Sequence, residues 1–226
     1  MTHKLKLNIG AGPSPFPGWV NYDHEDFSGH LNSLLSMPLD VLTAHDRRLA
    51  ASLQRGETLD YRFHDISDRG QFPHTDGSVD AIYLGQVIEH LNPVYEVPWL
   101  LNECRRMLRL GGVLRITTPN LDLLIDAYKR GEMDKFIPDQ PAFYVGAHPA
   151  LQLAYLMYGA SGPQCSWRKY EGHMCLYTPD SMMTVLRAVG FTDVVEVGAH
   201  VSRDPHMCEE VFDAGMSHSF IVEAVR

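Results

Sequence analysis

The spacing of apolar residues along the chain switches repeatedly between a period of two and one near 3.6, which predicts alternating strands and helices. Lys4 to Ile9 (KLKLNI) alternates as a strand and runs into Gly10-Ala11-Gly12, and Trp19 to Tyr22 (WVNY) is a second strand closed by Asp23. The link between them, Pro13 to Gly18, is too rich in Pro and Gly for a full helix, although a parallel crossover ordinarily takes a dozen or more residues. Helical cover is therefore expected after Asp23, where Leu31 to Leu53 carries two fragments around Pro38, marked by Leu35, Leu39 and Leu42 and by the pair Leu49 and Leu53. Leu59 to His64 and Val79 to Leu84 are the next strands, and Val87 to Leu91 a short helix. Pro93 and Pro98 read as breaks before a helix over Trp99 to Leu108, whose stripe is Leu100, Cys104, Met107 and Leu108. Gly111-Gly112 reads as the end of that helix and Val113 to Thr118 as a strand.

Leu121, Leu124, Ile125 and Tyr128 mark another helix. From Gly131 to Tyr177 the alternation lapses except for a short helix at Ala150 to Tyr158, then returns with a helix capped by Thr178, opened by Pro179 and ended by Gly190. Val194 to Val197 and Ser219 to Val225 are the last strands. About seven strands with helices on both sides predict an α/β fold, a three-layer Rossmann-like arrangement with a mostly parallel sheet. The lack of a clear helix between the last two strands predicts an antiparallel edge strand. At 226 residues the chain fits one domain, 1–226, with 131–177 as a lid or acceptor-binding insertion.

The chemistry concentrates at the first turn. Glycine after a strand lets backbone approach a ligand, and ligands of open α/β sheets bind at the carboxyl ends of the strands. The turn contains no G-x-x-x-x-G-K-[ST], and the G-x-G-x-x-G pattern is broken by Ser14 and Pro15. A doubtful helix N-terminus removes the usual seat of a pyrophosphate, which favours a nucleoside ligand without one. Asp23 is placed to accept both hydroxyls of a ribose, and Asp65, after the third strand, to accept from an adenine amino group. Each can equally be an ordinary strand-end or loop-capping carboxylate.

The ordered set LNIGAG…GWVNYD, HDISD, DGSVDAIYLGQVIEHL and RRMLRLGGVLRITTPN resembles the class I S-adenosylmethionine-dependent methyltransferases, and within them the small-molecule and polysaccharide-associated, type 11-like branch. The likeness covers residues 5–120 and resumes at GHMCLYTPDSMMTVLRAVGF and SFIVEAVR. It implies S-adenosyl-L-methionine as cofactor and S-adenosyl-L-homocysteine as product. Gly10, Ala11 and Gly12 would line the methionine part, Asp23 the ribose, Asp65 and Ile66 the adenine, and Gly85 and Gln86 the methionine moiety again. Asn8 stands where many relatives outside the branch carry an acidic residue; it can order the loop but cannot neutralise the ammonium group.

Methyl transfer needs an aligned nucleophile, and a hydroxyl or amine acceptor also has to lose a proton. His90, His173 and Tyr177 are the candidate catalytic groups, with structural roles as the alternative for each. Tyr144 and Tyr170 are candidates to shape the acceptor pocket, and Arg168 and Arg203 to clamp a carboxylate. An oxygen acceptor, hydroxyl or carboxylate, on a small or saccharide-like molecule is the expectation. No metal is expected, because His148, Cys165, His173 and Cys175 fit no zinc spacing. A net charge of -9 argues against a nucleic-acid partner. Four cysteines without a C-x-x-C pair, no signal-peptide core and no long apolar run point to the cytoplasm and to no membrane span. Monomer and homodimer remain open. An NAD-dependent oxidoreductase and a non-catalytic, cofactor-binding regulator are the competing readings.

Overall fold

The computed structural model describes residues 4–13, 15–25, 44–57, 59–136, 148–158, 172–208 and 218–226. The helical fragment expected at Leu31 to Leu42 lies outside them. Seven strands form one sheet: β1 (Lys6–Ile9), β2 (Val20–Asp23), β3 (Asp60–Phe63), β4 (Val79–Gly85), β5 (Leu108–Pro119), β6 (Thr192–Val197) and β7 (Ser219–Val225). Their order is β3-β2-β1-β4-β5-β7-β6. All pairs from β3 to β5 are parallel, and β7 runs antiparallel to both β5 and β6. The expected fold is therefore the observed one, and the reversed strand sits one place in from the edge. Five helices accompany it among the described residues: α1 (Ala44–Gln54), α2 (Glu96–Met107), α3 (Leu121–Arg130), α4 (Pro149–Tyr158) and α5 (Pro179–Val189). None of them is long and apolar enough to cross a membrane.

Alternation along β4 and β5 divides the core in two. Ile82, Leu84, Leu114 and Ile116 face α2 and α5, where Leu100, Leu101, Cys104, Met107, Met182 and Leu186 are fully buried. Ala81, Tyr83 and Val113 face the other way, against Phe16, Trp19 and Met207. On that side, among the described residues, this cluster is covered by the loop carrying Phe16–Trp19 and by the short 3-10 turn ending at Met207.

The caps expected for α5 are present: Thr178 and Ser181 form a capping box, and Gly190 adopts the left-handed conformation that ends the helix. Two expectations are corrected. Pro98 does not break the chain but lies in the first turn of α2, where a missing N–H costs no helical hydrogen bond. Gly111 and Gly112 do not end that helix. It stops at Met107, and both glycines lie inside β5. A Cβ on Gly112 would stand 2.9 Å from the Arg109 carbonyl oxygen, so the strand's irregular start requires glycine.

Candidate active site

The β1–β2 link is held without a helix by Asn21, which is fully buried. Its Oδ1 accepts from Phe16 N at 2.8 Å and Asn8 Nδ2 at 3.0 Å, and its Nδ2 donates to the carbonyls of Phe16, Trp19 and Asp60. Asn8 is thereby committed to ordering the loop and has no surface towards a ligand, being 2% exposed.

The glycine turn is folded back onto β2: Gly10 N and Ala11 N both donate to the Tyr22 carbonyl, at 2.8 and 3.0 Å. Gly10 has φ +73°, and a Cβ there would fall 2.3 Å from Val87 Cγ2. Gly12, at φ +55°, has nothing within 4 Å of its Cβ position among the described residues, so open space borders the turn where a ligand would lie. Gly12 N donates to Asp23 Oδ2 at 2.8 Å, and Tyr61 Oη donates to the Gly12 carbonyl at 3.1 Å. Asp23 Oδ1 accepts from Glu25 N at 3.2 Å and pairs with His24 Nδ1 at 3.0 Å. That contact raises His24 above the usual histidine value, burial opposing it. A carboxylate offers about four acceptor positions, so a ribose diol needs His24 to yield at least one.

β3 brings the next carboxylate alongside. Phe63 is the register neighbour of Asp23, and His64 N donates to the Asp23 carbonyl at 2.8 Å. Two residues on, Asp65 Oδ1 caps the Ile66–Asp68 turn through Ser67 N (2.9 Å) and Ser67 Oγ (2.8 Å). Ile66 is buried. Gly10, Ala11, Gly12, Asp23, Asp65 and Ile66 thus share the carboxyl ends of β1–β3.

At the end of β4, Gly85 is explained first by its own sheet: a Cβ would fall 2.5 Å from the Tyr83 ring. Gln86 holds a left-handed φ of 55°, a conformation that clusters at functional sites. Its N donates to the Thr117 carbonyl at 2.9 Å and its Nε2 to Ser219 Oγ at 3.1 Å.

The Ile88–His90 turn follows. Glu89 is fully buried, Thr118 Oγ1 donates to its Oε2 at 3.0 Å, and burial pushes it up to about 8. The Glu89 carbonyl accepts from Met174 N (2.7 Å) and Cys175 N (3.2 Å), which stitches the segment carrying His173 and Tyr177 to this turn. The rings of His90 and His173 meet edge-on, centroids 4.9 Å apart. His173 Nδ1 faces the Leu156 carbonyl at 3.0 Å. Since a carbonyl only accepts, Nδ1 carries the proton and Nε2 the lone pair. Burial, then the neighbouring His90, lower His173 to about 4. Tyr177 is buried, and burial with the adjacent Cys175 raises its phenol above the usual range.

His90 and His173 are brought into ring contact, and Tyr177 lies near enough to Glu89 for its charge to act on the phenol. Arg203 lies elsewhere: its guanidinium pairs with Asp193 at 3.0 Å, at the start of β6 on the sheet edge opposite the glycine turn. Tyr144, Arg168 and Tyr170 lie outside the described residues. Sequence reasoning missed Asn21, His24, Glu89, Thr118 and His218, whose backbone carbonyl accepts from Asn120 N at 2.8 Å. Glu89 stands in the matched DGSVDAIYLGQVIEHL stretch, but its spacing gives no sign that the side chain is fully buried.

Comparison with known proteins bears on this arrangement. A methyltransferase-domain family model matches residues 38–116. A search of curated proteins finds no match. Among solved structures, the chain is similar to a SAM-dependent methyltransferase from Methanosarcina mazei, with a TM-score of 0.51 and 12% identity over 100% of this chain and 94% of that one. It is also similar to the S-adenosylmethionine-dependent methyltransferase SibL in its apo form, with a TM-score of 0.52 and 13% identity over 100% of this chain and 51% of that one. These two likenesses concern the fold.

Proposed function

We propose that this chain is a class I S-adenosylmethionine-dependent methyltransferase, as the methyltransferase-domain match over residues 38–116 supports, and that it methylates an oxygen of a small or saccharide-like acceptor at the Glu89–His90–His173–Tyr177 end of the sheet. The observation that carries the reading is the Gly12–Asp23 hydrogen bond. It joins an open glycine turn and a carboxylate in one unit, at the same strand ends as a pair of imidazoles, and so supports a ribose-binding role for Asp23. When bound, S-adenosylmethionine supplies a sulfonium methyl that an acceptor oxygen takes by direct displacement, sulfur keeping the C–S electron pair.

The chain's own residues do the rest. Gly10–Gly12 and Asp23 bind and orient, with Asp65 and Ile66 on the adenine side and Gln86 beside the methionine moiety. His90 receives the proton that an acceptor hydroxyl releases. His173, held at about 4, is too weak a base for that task near neutral pH. Tyr177 stays protonated and so donates, not accepts, towards the acceptor. By its place in the sequence, the 131–177 segment is the part of the chain assigned to acceptor binding. Three free thiols among the described residues, Cys104, Cys175 and Cys208, suit a reducing compartment such as the cytoplasm.

The test is direct. Incubation with labelled S-adenosylmethionine and a metabolite extract should give an acceptor heavier by one methyl group. Asp23→Ala should weaken cofactor binding about 10-fold or more, because one charged hydrogen-bonding partner is lost. His90→Ala should lower turnover while leaving cofactor affinity nearly unchanged. Cofactor binding without transfer to any acceptor would instead indicate a non-catalytic regulator, and calorimetry showing no loss in Asp23→Ala would remove Asp23 from the site.

A further inference from the structure

Glu89, His90 and His173 each turn a possible ligand atom inward, and the three atoms lie within 4.8 Å of one another. We propose that these residues bind a divalent transition-metal cation, with zinc as the reference ion.

The strongest observation is Glu89. The side chain is fully buried, Oε2 is satisfied by Thr118, and Oε1 has no hydrogen-bond partner among the described residues. Oε1 points to the neighbouring ring, 3.9 Å from His90 Nε2. A buried, unsatisfied carboxylate oxygen needs an explanation, and an unseen ion is one of the few available. His173 supplies the second. Its Nδ1–H is anchored on the Leu156 carbonyl at 3.0 Å, the outer hydrogen bond that fixes ring and tautomer in metal-ligating histidines.

The backbone pre-assembles the set. Met174 N and Cys175 N on the Glu89 carbonyl join the two segments that carry the ligands. Bonds of about 2.0–2.2 Å to a tetrahedral ion put donors roughly 3.3–3.6 Å apart. The 3.9 Å Glu89–His90 gap closes with a small side-chain rotation. Two imidazoles and one carboxylate leave a position open for water or another oxygen. With metal bound, His90 is a ligand and no longer the proton acceptor; that the open position then holds the methyl acceptor and lowers its hydroxyl pKa rests on the function proposed above, whereas the binding of metal does not. The chain spacing gave no warning, because Glu89 and His90 are adjacent and His173 is far along the sequence.

The test uses the full chain, stripped with chelator and titrated with zinc by calorimetry and with cobalt(II) by visible absorption. One equivalent should bind with a micromolar or tighter dissociation constant, and cobalt should give the d–d bands of a four- or five-coordinate N/O site. Glu89→Gln and His173→Asn should each weaken zinc binding at least 10-fold, whereas His206→Asn, at an exposed histidine, should not. Retained S-adenosylmethionine binding reports that each variant is folded, and either variant alone suffices if the other fails to fold. Absence of a stoichiometric site, or equal zinc affinity in all variants, overturns the inference. A chain that binds S-adenosylmethionine and transfers methyl but takes up no metal overturns it and leaves the proposed function standing. One that binds metal at these residues and methylates nothing does the reverse.

Discussion

His24 links protonation to the site through a single contact. Its raised value comes chiefly from the hydrogen bond to Asp23, with burial opposing. A histidine whose folded value exceeds its unfolded one stabilises the chain below the unfolded value, about 6.5, and that contribution is lost as pH rises through the folded value. Ribose hydroxyls compete for the same Asp23 oxygen, so protonated His24 opposes cofactor binding. Affinity for S-adenosylmethionine is expected to rise about threefold or more as pH climbs through that window. Binding should also release a fraction of a proton, seen as a calorimetric enthalpy that depends on the buffer. In His24→Gln both dependences should flatten; a wild-type affinity that stays level across the window rules the competition out.

At the scale of the element, the unusual piece is the β1–β2 connection. Pro13 to Gly18 reads as too rich in Pro and Gly for a full helix, and the described residues of that link carry turns and no helix. What replaces the helix was not legible, because one asparagine in the middle of a strand carries no pattern. The Asn21 side chain reaches the Phe16 N–H, three carbonyls and the Asn8 amide, and the Phe16 carbonyl accepts from Trp19 N as well. Asn21→Ala leaves several of these buried and unpaired, at about 1–3 kcal/mol each where water cannot reach. The expected outcome is a loss of roughly 2–4 kcal/mol in urea denaturation, with weakened cofactor binding because Gly10–Gly12 hang on the same loop. Stability within 0.5 kcal/mol of the parent, about the effect of an ordinary surface change, would mean another group holds the loop. Apolar runs located the inner strands well because β1, β2, β4, β5 and β7 are largely buried on both faces, whereas β3 and β6 at the sheet edges are mostly exposed. Periodicity misassigned Gly111-Gly112 as the terminator of α2, since that pair carries the same signature at a helix end and at a strand's irregular start. His90, His173 and Tyr177 were legible as residue types, but their nearness depends on the Glu89 carbonyl receiving Met174 N and Cys175 N, which no spacing rule encodes.

For the molecule as a whole, the question is what holds β7 in its place. This strand comes last in the chain, runs antiparallel, and is inserted between β5 and β6. Arg115 and Glu223 are direct cross-strand partners, both 0% exposed and 2.7 Å apart. Arg115 Nη1 also donates to the Val201 carbonyl (2.8 Å), and Arg203 N donates to Glu223 Oε2 (3.0 Å). One pair therefore ties β5, β7 and the loop over the sheet together. A slip by one residue would turn Glu223 to the opposite, apolar face and leave Arg115 buried without a counter-charge. Glu223→Gln does the latter without a slip, and should cost about 3–5 kcal/mol, read as a lower denaturation midpoint at unchanged slope. Arg115→Met with Glu223→Leu removes both charges and should recover most of that stability, since a buried ion pair adds little net strength over a well-packed apolar pair. If the pair instead serves to choose the register, the double variant should keep its midpoint yet lose hydrogen-exchange protection along 219–225. Full protection there would show that the apolar positions of β7, Phe220, Val222 and Ala224 on one face, set the register unaided.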